Sequence, residues 1–326
     1  MKLRRLLLVL WGVTAVLPVL PCDVQAQSYP NRPIRLISPF PAGGGNDVLA
    51  RIIAARLADR LGGSVVVENR PGAGAVIGIQ ALARSAPDGY TLVLGSSVLA
   101  VAPTLYKKPP FDPNKDFAPV ALVAQYPFLL VASASLAAKT LPELLAMAKE
   151  KPGEITYAAP GIATSQHLFT ELLETKAGIQ LRPILYNGTA PAVVDIVAGR
   201  VSLMFAAAAP SIPFFKAGTL RPLAVSSAAR LAELPDVPPV ADTVPGFDEQ
   251  NWSMILAPAG TPSHIVDRLH AELKTVMAMP EVEKQLAAIG MMPIVSPPPS
   301  DLKTFISTAV ERWGMIVQQA GMAGTH

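Results

Sequence analysis

Short apolar runs typical of β-strands alternate with helix-like segments along most of this chain, and this alternation restricts its fold more than any other feature. The first series contains four such runs, at residues 34–38, 65–69, 90–95 and 119–125. They are apolar at nearly every position, as expected of parallel strands covered by helices on both faces. Strands joined through helices form sheets of the α/β class. The first series therefore predicts one mostly parallel sheet flanked by helices.

A second alternating series begins after Tyr126–Pro127 and predicts a second lobe of the same class. Its strand candidates are 128–133, 155–159, 181–186, 201–207 and 220–227. Its helix candidates are 141–150, 165–177, 190–198 and 213–217. With 51% apolar and 16% charged residues, a chain of 326 residues is long enough and apolar enough to build two cores.

The last part of the chain is expected to return to the first lobe. A proline-rich stretch, 233–252, predicts an irregular connection, and one strand candidate, 252–258, follows it. Three helices are expected to begin near Pro262, Pro280 and Pro299, because proline is tolerated in a first helical turn. This segment has too few strands to form a third domain, so we expect it to pack on the first lobe.

The chain would then pass between the lobes twice, near 125–126 and near 244–247, as in two lobes hinged around a cleft. The predicted boundaries are 27–125 with 248–326 for the first lobe and 126–247 for the second.

The N-terminus has the layout of a cleaved secretory signal. Three positive charges precede an apolar run at 6–20, and small residues follow near Ala26. Pro18 and Pro21 make this run too short for a membrane span. We expect cleavage after Ala26 and export. Acylation of Cys22 is the alternative, although a proline directly before the cysteine argues against it.

Charge and chemistry exclude several functional classes. The leader holds three of the 27 basic residues and one of the 24 acidic ones, so the remaining chain has a net charge of only +1. It has no basic cluster, so a nucleic-acid partner is not expected. It also has no cysteine, which excludes disulfides and thiolate chemistry. The four histidines lack metal-ligand spacing, and no G-x-S-x-G elbow occurs, so neither a metal, nor another cofactor, nor catalysis is expected.

Three consecutive glycines, Gly43–Gly45, stand between the first strand candidate and an amphipathic helix. Asn46 or Asp47 is expected to cap this helix, and Gly62–Gly63 to end it. Glycines at this place let main-chain amides turn toward a ligand, and the helix N-terminus favours an anion. The loop fits neither a phosphate-binding loop nor a dinucleotide fingerprint. It is read either as an anion cradle, which we favour, or as a tight turn with a cap.

The second lobe repeats this arrangement at 157–169, where a strand, a turn at Gly161 and capping hydroxyls at Thr164 and Ser165 precede a helix. Two such cradles, one in each lobe, imply a ligand held between them. The Asn187–Gly188 turn is either a ligand contact or an ordinary connection. Ser96 and Ser97 follow a strand at the edge where open α/β sheets bind ligands, and the same two interpretations apply to them.

These motifs, in this order, resemble the Bug family of extracytoplasmic receptors of tripartite tricarboxylate transporters. The resemblance rests on "YPNRPIRLISPFPAGGGNDVLAR", "VVVENRPGAGAVIGIQALARSAPDGYTLVLG", "GTAPAVVDIVAGRVSLMF", "LPDVPPVAD" and "LAPAGTP", and it covers essentially the whole chain after the leader. It implies a periplasmic location, a two-lobed periplasmic-binding-protein fold and capture of a small carboxylate. It also implies that the loops 39–47 and 160–166 grip the carboxylate through amides, hydroxyls and ordered water.

Two departures from the family pattern bear on the ligand. This chain has Asn187 where the family more often has Lys or Arg, and 206–209 are all alanine where the family usually has polar residues. Both changes predict an apolar wall and a monocarboxylate, or an acid with an apolar or aromatic body, rather than citrate. The candidate ligand-binding residues are Phe40, Ala42, Gly43, Gly44, Gly45, Asn46, Asp47, Ser96, Ser97, Gly161, Ala163, Thr164, Ser165, Gln166, His167, Asn187, Gly188 and Ala207.

The expected partners are the acid and the membrane subunits of a transporter, with the protein itself a monomer. A solute sensor or structural binding protein that works without a transporter, and a hydrolase, remain the alternatives. Binding of an acid without its chemical conversion would separate a receptor from an enzyme.

Overall fold

The structure is a computed structural model, and it describes residues 29–162 and 164–325. The predicted leader and the candidate residue Ala163 lie outside the described residues. The strands are β1 (Ile34–Ser38), β2 (Val65–Asn69), β3 (Thr91–Ser96), β4 (Phe117–Tyr126), β5 (Phe128–Ser133), β6 (Thr156–Ala159), β7 (Arg182–Leu185), β8 (Leu203–Ala207), β9 (Leu220–Val225), β10 (Asn251–Pro258) and β11 (Met292–Pro293). The helices are α1 (Gly45–Leu61), α2 (Val76–Ala83), α3 (Val98–Leu105), α4 (Leu141–Glu150), α5 (Ser165–Ala177), α6 (Thr189–Val197), α7 (Ala208–Lys216), α8 (Ser263–Met277), α9 (Pro280–Ala287) and α10 (Pro299–Gln319).

The strands form two sheets, each the centre of one lobe. The first sheet has the order β11-β4-β10-β3-β1-β2, and the second has the order β7-β6-β8-β5-β9. Each sheet contains one inserted strand, next to a crossing between the lobes, that is antiparallel to both of its neighbours. It is β10 in the first sheet and β5 in the second. Four strands of each sheet run in one direction, because the neighbours on both sides of the inserted strand are antiparallel to it. The predicted two-lobed α/β fold with mostly parallel sheets is confirmed.

Helix α1 shows how the sequence pattern builds the first lobe. Its buried stripe includes Leu49, Ile53 and Leu57, which recur every four residues and therefore share one face. The helix ends at Gly62, whose φ of 65° is the left-handed conformation expected there. Its predicted N-cap was wrong. Gly44 occupies that position without a side-chain cap, so Asn46 and Asp47 lie inside the first turn.

Two further helix starts differ from the sequence prediction. Helix α6 begins at Thr189, one residue before the predicted start at 190, and Gly188 is its N-cap. Helix α7 begins at Ala208, five residues before the predicted start at Pro213. Alanine has the highest helix propensity, and prolines can occupy a first turn, so the stretch after β8 turns directly into a helix.

The C-terminal helices pack against the first sheet. Helices α8 and α10 both contact β4, α8 also lies on α1, and α10 lies on α3. Helix α10 also reaches the second lobe, where the Trp313 ring stacks on Phe169 of α5 at a centroid distance of 5.8 Å. Trp252 of β10 is buried and lies edge-on to Phe305 of α10.

The two crossings between the sheets lie side by side and are joined by Ser226. The first crossing is the single residue Pro127 between β4 and β5, and the second is the connection from β9 to β10. The buried Ser226 hydroxyl accepts a hydrogen bond from the Phe128 amide at 2.9 Å and donates one to the Glu249 carbonyl at 2.7 Å. Among the described helices, none has the length and apolar character that crossing a membrane requires.

Candidate functional site

The first cradle is the loop between β1 and α1. Gly43 has a φ of 83°, in the left-handed region that glycine adopts without strain. Gly43 and Gly45 are exposed, and Gly44 is half-buried. The first amides of an α-helix have no partner within the helix, and here no side chain caps them. The loop therefore presents main-chain N–H groups at the positive end of the α1 dipole.

Asp47 supports this loop from inside. Its carboxylate is 3% exposed and accepts hydrogen bonds from the Gly43 amide at 3.0 Å and from Asn69 Nδ2 at 2.7 Å, and it pairs with Arg51 at 3.0 Å. Burial acts to raise the pKa of Asp47, but the hydrogen bonds from Arg51, Gly43 and Asn69 outweigh it and lower that pKa. The ionised oxygens of Asp47 thus accept hydrogen bonds from neighbouring protein groups, and the Gly43 amide donates to Asp47.

Three buried side-chain oxygens near this loop have no hydrogen-bond partner among the described residues. They are the hydroxyls of Ser38, at the end of β1, and of Ser96, at the end of β3, and Asn46 Oδ1 in the first turn of α1. Buried polar groups in proteins are nearly always hydrogen-bonded to protein or water. Ser38 and Ser96 thus end two neighbouring parallel strands, at the edge where open α/β sheets bind ligands.

The second cradle is the connection from β6 to α5. Thr164 is the N-cap residue, but its hydroxyl donates to the Gly161 carbonyl at 2.9 Å and does not cap the helix. The amides of Ser165 and Gln166, in the first turn, therefore have no partner within α5. The Gln166 side chain is half-buried.

The His167 ring is part of the interior of the second lobe. It is 6% exposed, stacks on Tyr157 at a centroid distance of 6.0 Å, and places Nε2 3.4 Å from Glu171. Tyr157 also donates a hydrogen bond to Glu171. Burial tends to raise the pKa of Glu171, yet these two hydrogen bonds lower it. The side chain of His167 thus belongs to a cluster beneath the cradle, while its amide belongs to the cradle.

The structure brings the start of α3 in the first lobe into direct contact with the second cradle. Ser97, the N-cap residue of α3, lies 2.6 Å from Ser165 of the second lobe, hydroxyl to hydroxyl. Ser165 also donates to Asn251 Oδ1 at 2.5 Å. Candidate residues from the two lobes therefore touch each other, and we call this contact of the lobes the closed arrangement.

Glycines bring the lobes together at two further points. A β-carbon on Gly74 would lie 2.3 Å from the Ile162 carbonyl oxygen, so only glycine fits there. A β-carbon on Gly188 would lie 3.6 Å from Pro41 Cγ, an ordinary contact between the first cradle and the start of α6.

The remaining wall of the cleft carries little charge. Asn187 is exposed, while Ala207 and the first residues of α7 are half-buried. Across the cleft, Gly290 approaches the α7 N-terminus so closely that a β-carbon on it would lie 3.1 Å from the Ala209 amide nitrogen. Of the other candidates, Phe40 is half-buried against the larger core and Ala42 is exposed.

Several residues of this region were absent from the sequence prediction. Ser38, Gly74, Asn251 and Tyr126 come from distant parts of the chain, and only the ending of β1 in a serine hinted at one of them. No group of three or more acidic, histidine or cysteine residues suited to a metal ion occurs within 29–162 and 164–325.

Comparison with known proteins places this geometry in a family. A family model described as "Tripartite tricarboxylate transporter family receptor" matches residues 49–322. The chain belongs to this receptor family. It is also 37% identical to protein BugT of Bordetella pertussis over 324 residues, which is 98% of this chain and 99% of BugT. The resemblance to the Bug family is confirmed, and with it the assignment to a class of solute-binding receptors.

Solved structures agree with this assignment. Rpa4515 of R. palustris, solved with adipate, has a TM-score of 0.84 and 34% identity, covering 90% of this chain and 99% of that one. MatC of Rhodopseudomonas palustris, solved with bound malate, has a TM-score of 0.80 and 29% identity, covering 89% of this chain and 100% of that one. Both relatives were therefore captured with small organic acids.

Proposed function

We propose that this receptor captures a monocarboxylate, or an acid with an apolar or aromatic body, in the cleft between its lobes. It delivers the acid to the membrane subunits of a tripartite tricarboxylate-type transporter. In this proposal, residues 27–125 and 248–326 form the first lobe, and residues 126–247 form the second. The protein is an exported, periplasmic monomer whose leader is removed after Ala26. That location fits the charge, apolar run and small residues of the N-terminus.

The observation that carries the proposal is the meeting of uncapped helix N-termini from both lobes. The start of α3 in the first lobe meets the start of α5 in the second through the Ser97–Ser165 contact. The loop before α1 lies beside the start of α6, where Pro41 is close to Gly188. No side chain caps any of these four helices. Each helix N-terminus acts as roughly half a positive charge, and together their amides supply donors for both oxygens of a carboxylate. The Ser38 and Ser96 hydroxyls and the Asn46 amide group supply further polar contacts, directly or through water.

The choice of an apolar-bodied acid rests on the second-lobe wall. Asn187 provides no cation for a second carboxylate, and residues 207–209 present only methyl groups and the α7 amides, while Ala206 is buried in the core of the second lobe. Arg51, on α1 just after the first cradle, is engaged with Asp47 and Asn69. A second carboxylate moved into this cleft would lose water without gaining a partner charge, which is costly. An apolar body carries no charge that would lose its hydration, and its binding in the cleft removes apolar surface from water, which is favourable.

A binding role without catalysis also fits the chemistry of the cleft. Asp47, the carboxylate of the first cradle, is committed to internal donors, and the Ser97 and Ser165 hydroxyls bond to each other. His167 Nε2 faces Glu171. Neither serine is seen paired with a histidine base of the kind that activates a nucleophile.

Isothermal titration calorimetry with benzoate, adipate, malate and citrate tests the ligand class. We expect benzoate to bind most tightly, to raise the melting temperature and to be recovered unchanged. Tighter binding of citrate than of benzoate would contradict the proposed ligand class, and conversion of the acid would contradict the receptor role.

Asn187→Lys tests the wall itself. A lysine here restores a cation at the cleft, so we expect it to raise the affinity for malate about fivefold, the effect of a partly exposed ion pair. Ala198→Lys adds the same charge at the exposed far end of α6 and serves as the control. Equal malate affinities in the two variants would show that position 187 does not face the ligand.

A further inference from the structure

Four buried polar side chains form a continuous hydrogen-bonded chain across the hinge. Ser97 precedes α3 of the first lobe and Ser165 begins α5 of the second, while Tyr126 ends β4 and Asn251 begins β10. Their exposed fractions are 1%, 4%, 4% and 6%, respectively. Asn251 and Tyr126 are direct cross-strand partners, so their side chains leave the sheet on the same face. The chain thus joins the starts of α3 and α5 to the strands at both crossings.

The donors and acceptors of this chain fix its direction. Asn251 Nδ2 donates to the Tyr126 hydroxyl, and Asn251 Oδ1 accepts from Ser165 Oγ. A serine hydroxyl carries one proton, so Ser165 has none left for another acceptor. Ser97 must therefore be the donor in its bond to Ser165. In the closed arrangement both serine protons are used inside the protein, and neither hydroxyl can donate to a ligand carboxylate.

We propose that Tyr126 and Asn251 are positioning residues that hold the two lobes together through Ser97 and Ser165, so that the closed arrangement is populated before any acid binds. The role of Ser97 and Ser165 is then to join the lobes, and the acid is left to main-chain amides and to the Ser38 and Ser96 hydroxyls. This goes beyond the proposed function, because it assigns the closure of the lobes to contacts that contain no ligand.

Because the four side chains are buried, each hydrogen bond between them affects the balance between the closed and open arrangements. When one partner of a buried hydrogen bond is removed, the other is left without water or protein to replace it. Opening the lobes wets the Ser97–Ser165 contact and supplies those missing bonds. Loss of one hydroxyl therefore favours the open arrangement, and it lowers the ratio of closed to open molecules by about fivefold.

The test measures the distance between the lobes without any acid present. Spin labels are attached at Ile77→Cys on α2 and Val194→Cys on α6, two exposed positions in different lobes, in the full chain with Cys22→Ser. Pulsed dipolar spectroscopy then gives the distance distribution. We expect a short-distance population in the parent protein that falls about fivefold relative to the long one in Ser97→Ala and in Tyr126→Phe.

Two further variants separate positioning from general packing. Ser97→Thr keeps the hydroxyl, and we expect it to restore the short distance. Thr170→Val removes a buried hydroxyl that bonds within α5 to the Gln166 carbonyl at 3.0 Å, so we expect no change in the distribution. The double variant Ser97→Ala with Ser165→Ala should open the protein no more than either single one, since one break interrupts the whole chain.

Two results would overturn the inference. One is a parent protein that shows only the long distance without acid. The other is a distribution of interlobe distances in Ser97→Ala and Tyr126→Phe that is the same as in Thr170→Val. Because the measurement contains no acid, it stands apart from the calorimetric test, in which an absence of binding would count against the proposed function alone.

Discussion

Gly74 is the residue at which a single methyl group should decide whether the lobes can close. It lies between β2 and α2 of the first lobe, and its α-carbon faces the Ile162 carbonyl of the second. A β-carbon at this position would lie 2.3 Å from that oxygen, whereas ordinary contacts of this kind begin at 3.4 Å. The variant Gly74→Ala must therefore push the lobes apart by about 1.1 Å at this point, because a backbone carbonyl cannot rotate away as a flexible side chain can.

That displacement is enough to break the contact between α3 and the second cradle. The Ser97–Ser165 separation of 2.6 Å would grow to about 3.7 Å, beyond the reach of a hydrogen bond, and the amides of the two helix starts would no longer meet one carboxylate together. We expect Gly74→Ala to weaken acid binding at least tenfold, or about 1.4 kcal/mol. The φ of 62° at Gly74 adds a cost of roughly 1–2 kcal/mol to stability for any residue with a β-carbon.

Gly62→Ala separates these two effects. Gly62 ends α1 with a nearly identical φ of 65°, but a β-carbon there would meet no atom within 4 Å. Calorimetric titration with the tightest-binding acid of the panel should show a loss of affinity in Gly74→Ala only, while thermal unfolding should show similar destabilisation in both. Equal affinities in the two variants would refute the assignment of Gly74 to the interlobe contact.

Two carboxylates, the buried Asp47 and the half-buried Glu174, give further predictions. Asp47→Ala leaves the Gly43 amide and Asn69 without their acceptor and should cost about 2 kcal/mol in urea unfolding, whereas Asp47→Asn, which keeps one oxygen, should cost less; equal losses would contradict the hydrogen-bond assignment. For Glu174 on α5, burial raises the pKa to about 7, with a hydrogen bond from the Leu181 amide opposing and the charge of Glu171 adding to the shift. A raised carboxyl pKa favours the folded state at low pH, and this contribution is lost as pH rises from about 4.5 to about 7. The melting temperature should therefore fall more between pH 5 and pH 8 in the parent than in Glu174→Gln, and identical pH profiles would refute this.

The sequence predicted the elements well where local pattern and tertiary packing agree. Strands 34–38, 65–69 and 128–133 and helices 141–150 and 165–177 match the structure residue for residue. In these segments an apolar run or a 3.6-residue period is bounded by clear turn residues, so the local signal coincides with what the core requires.

The helix starts around the cleft were less predictable, because their polar residues serve contacts elsewhere. Asp47 has the composition of an N-cap, yet it accepts from Gly43 and Asn69. Thr164 stands at an N-cap position, but its hydroxyl turns back to Gly161. Propensity describes what a side chain does next to its own helix, and it carries no information about a donor 22 residues away, such as Asn69 for Asp47.

The interlobe contacts could not be found from sequence at all. Ser165 and Asn251 are 86 residues apart, and in its own segment each looks like an ordinary polar residue at the start of a helix or strand. Their roles depend on how the two sheets face each other, which follows from the crossings and the inserted strands. The sequence therefore indicated which loops form the site but not which of their side chains remain available to a ligand.

The most direct measurement of the central claim is a crystal structure of the protein with benzoate. The account predicts that the carboxylate lies between the N-termini of α1 and α5, with oxygens about 3 Å from main-chain amides of both helices. It also predicts that the Ser97–Ser165 contact stays intact beside the ligand. A carboxylate paired with a lysine or arginine side chain, or bound outside this cleft with the two helix starts unused, would contradict the account.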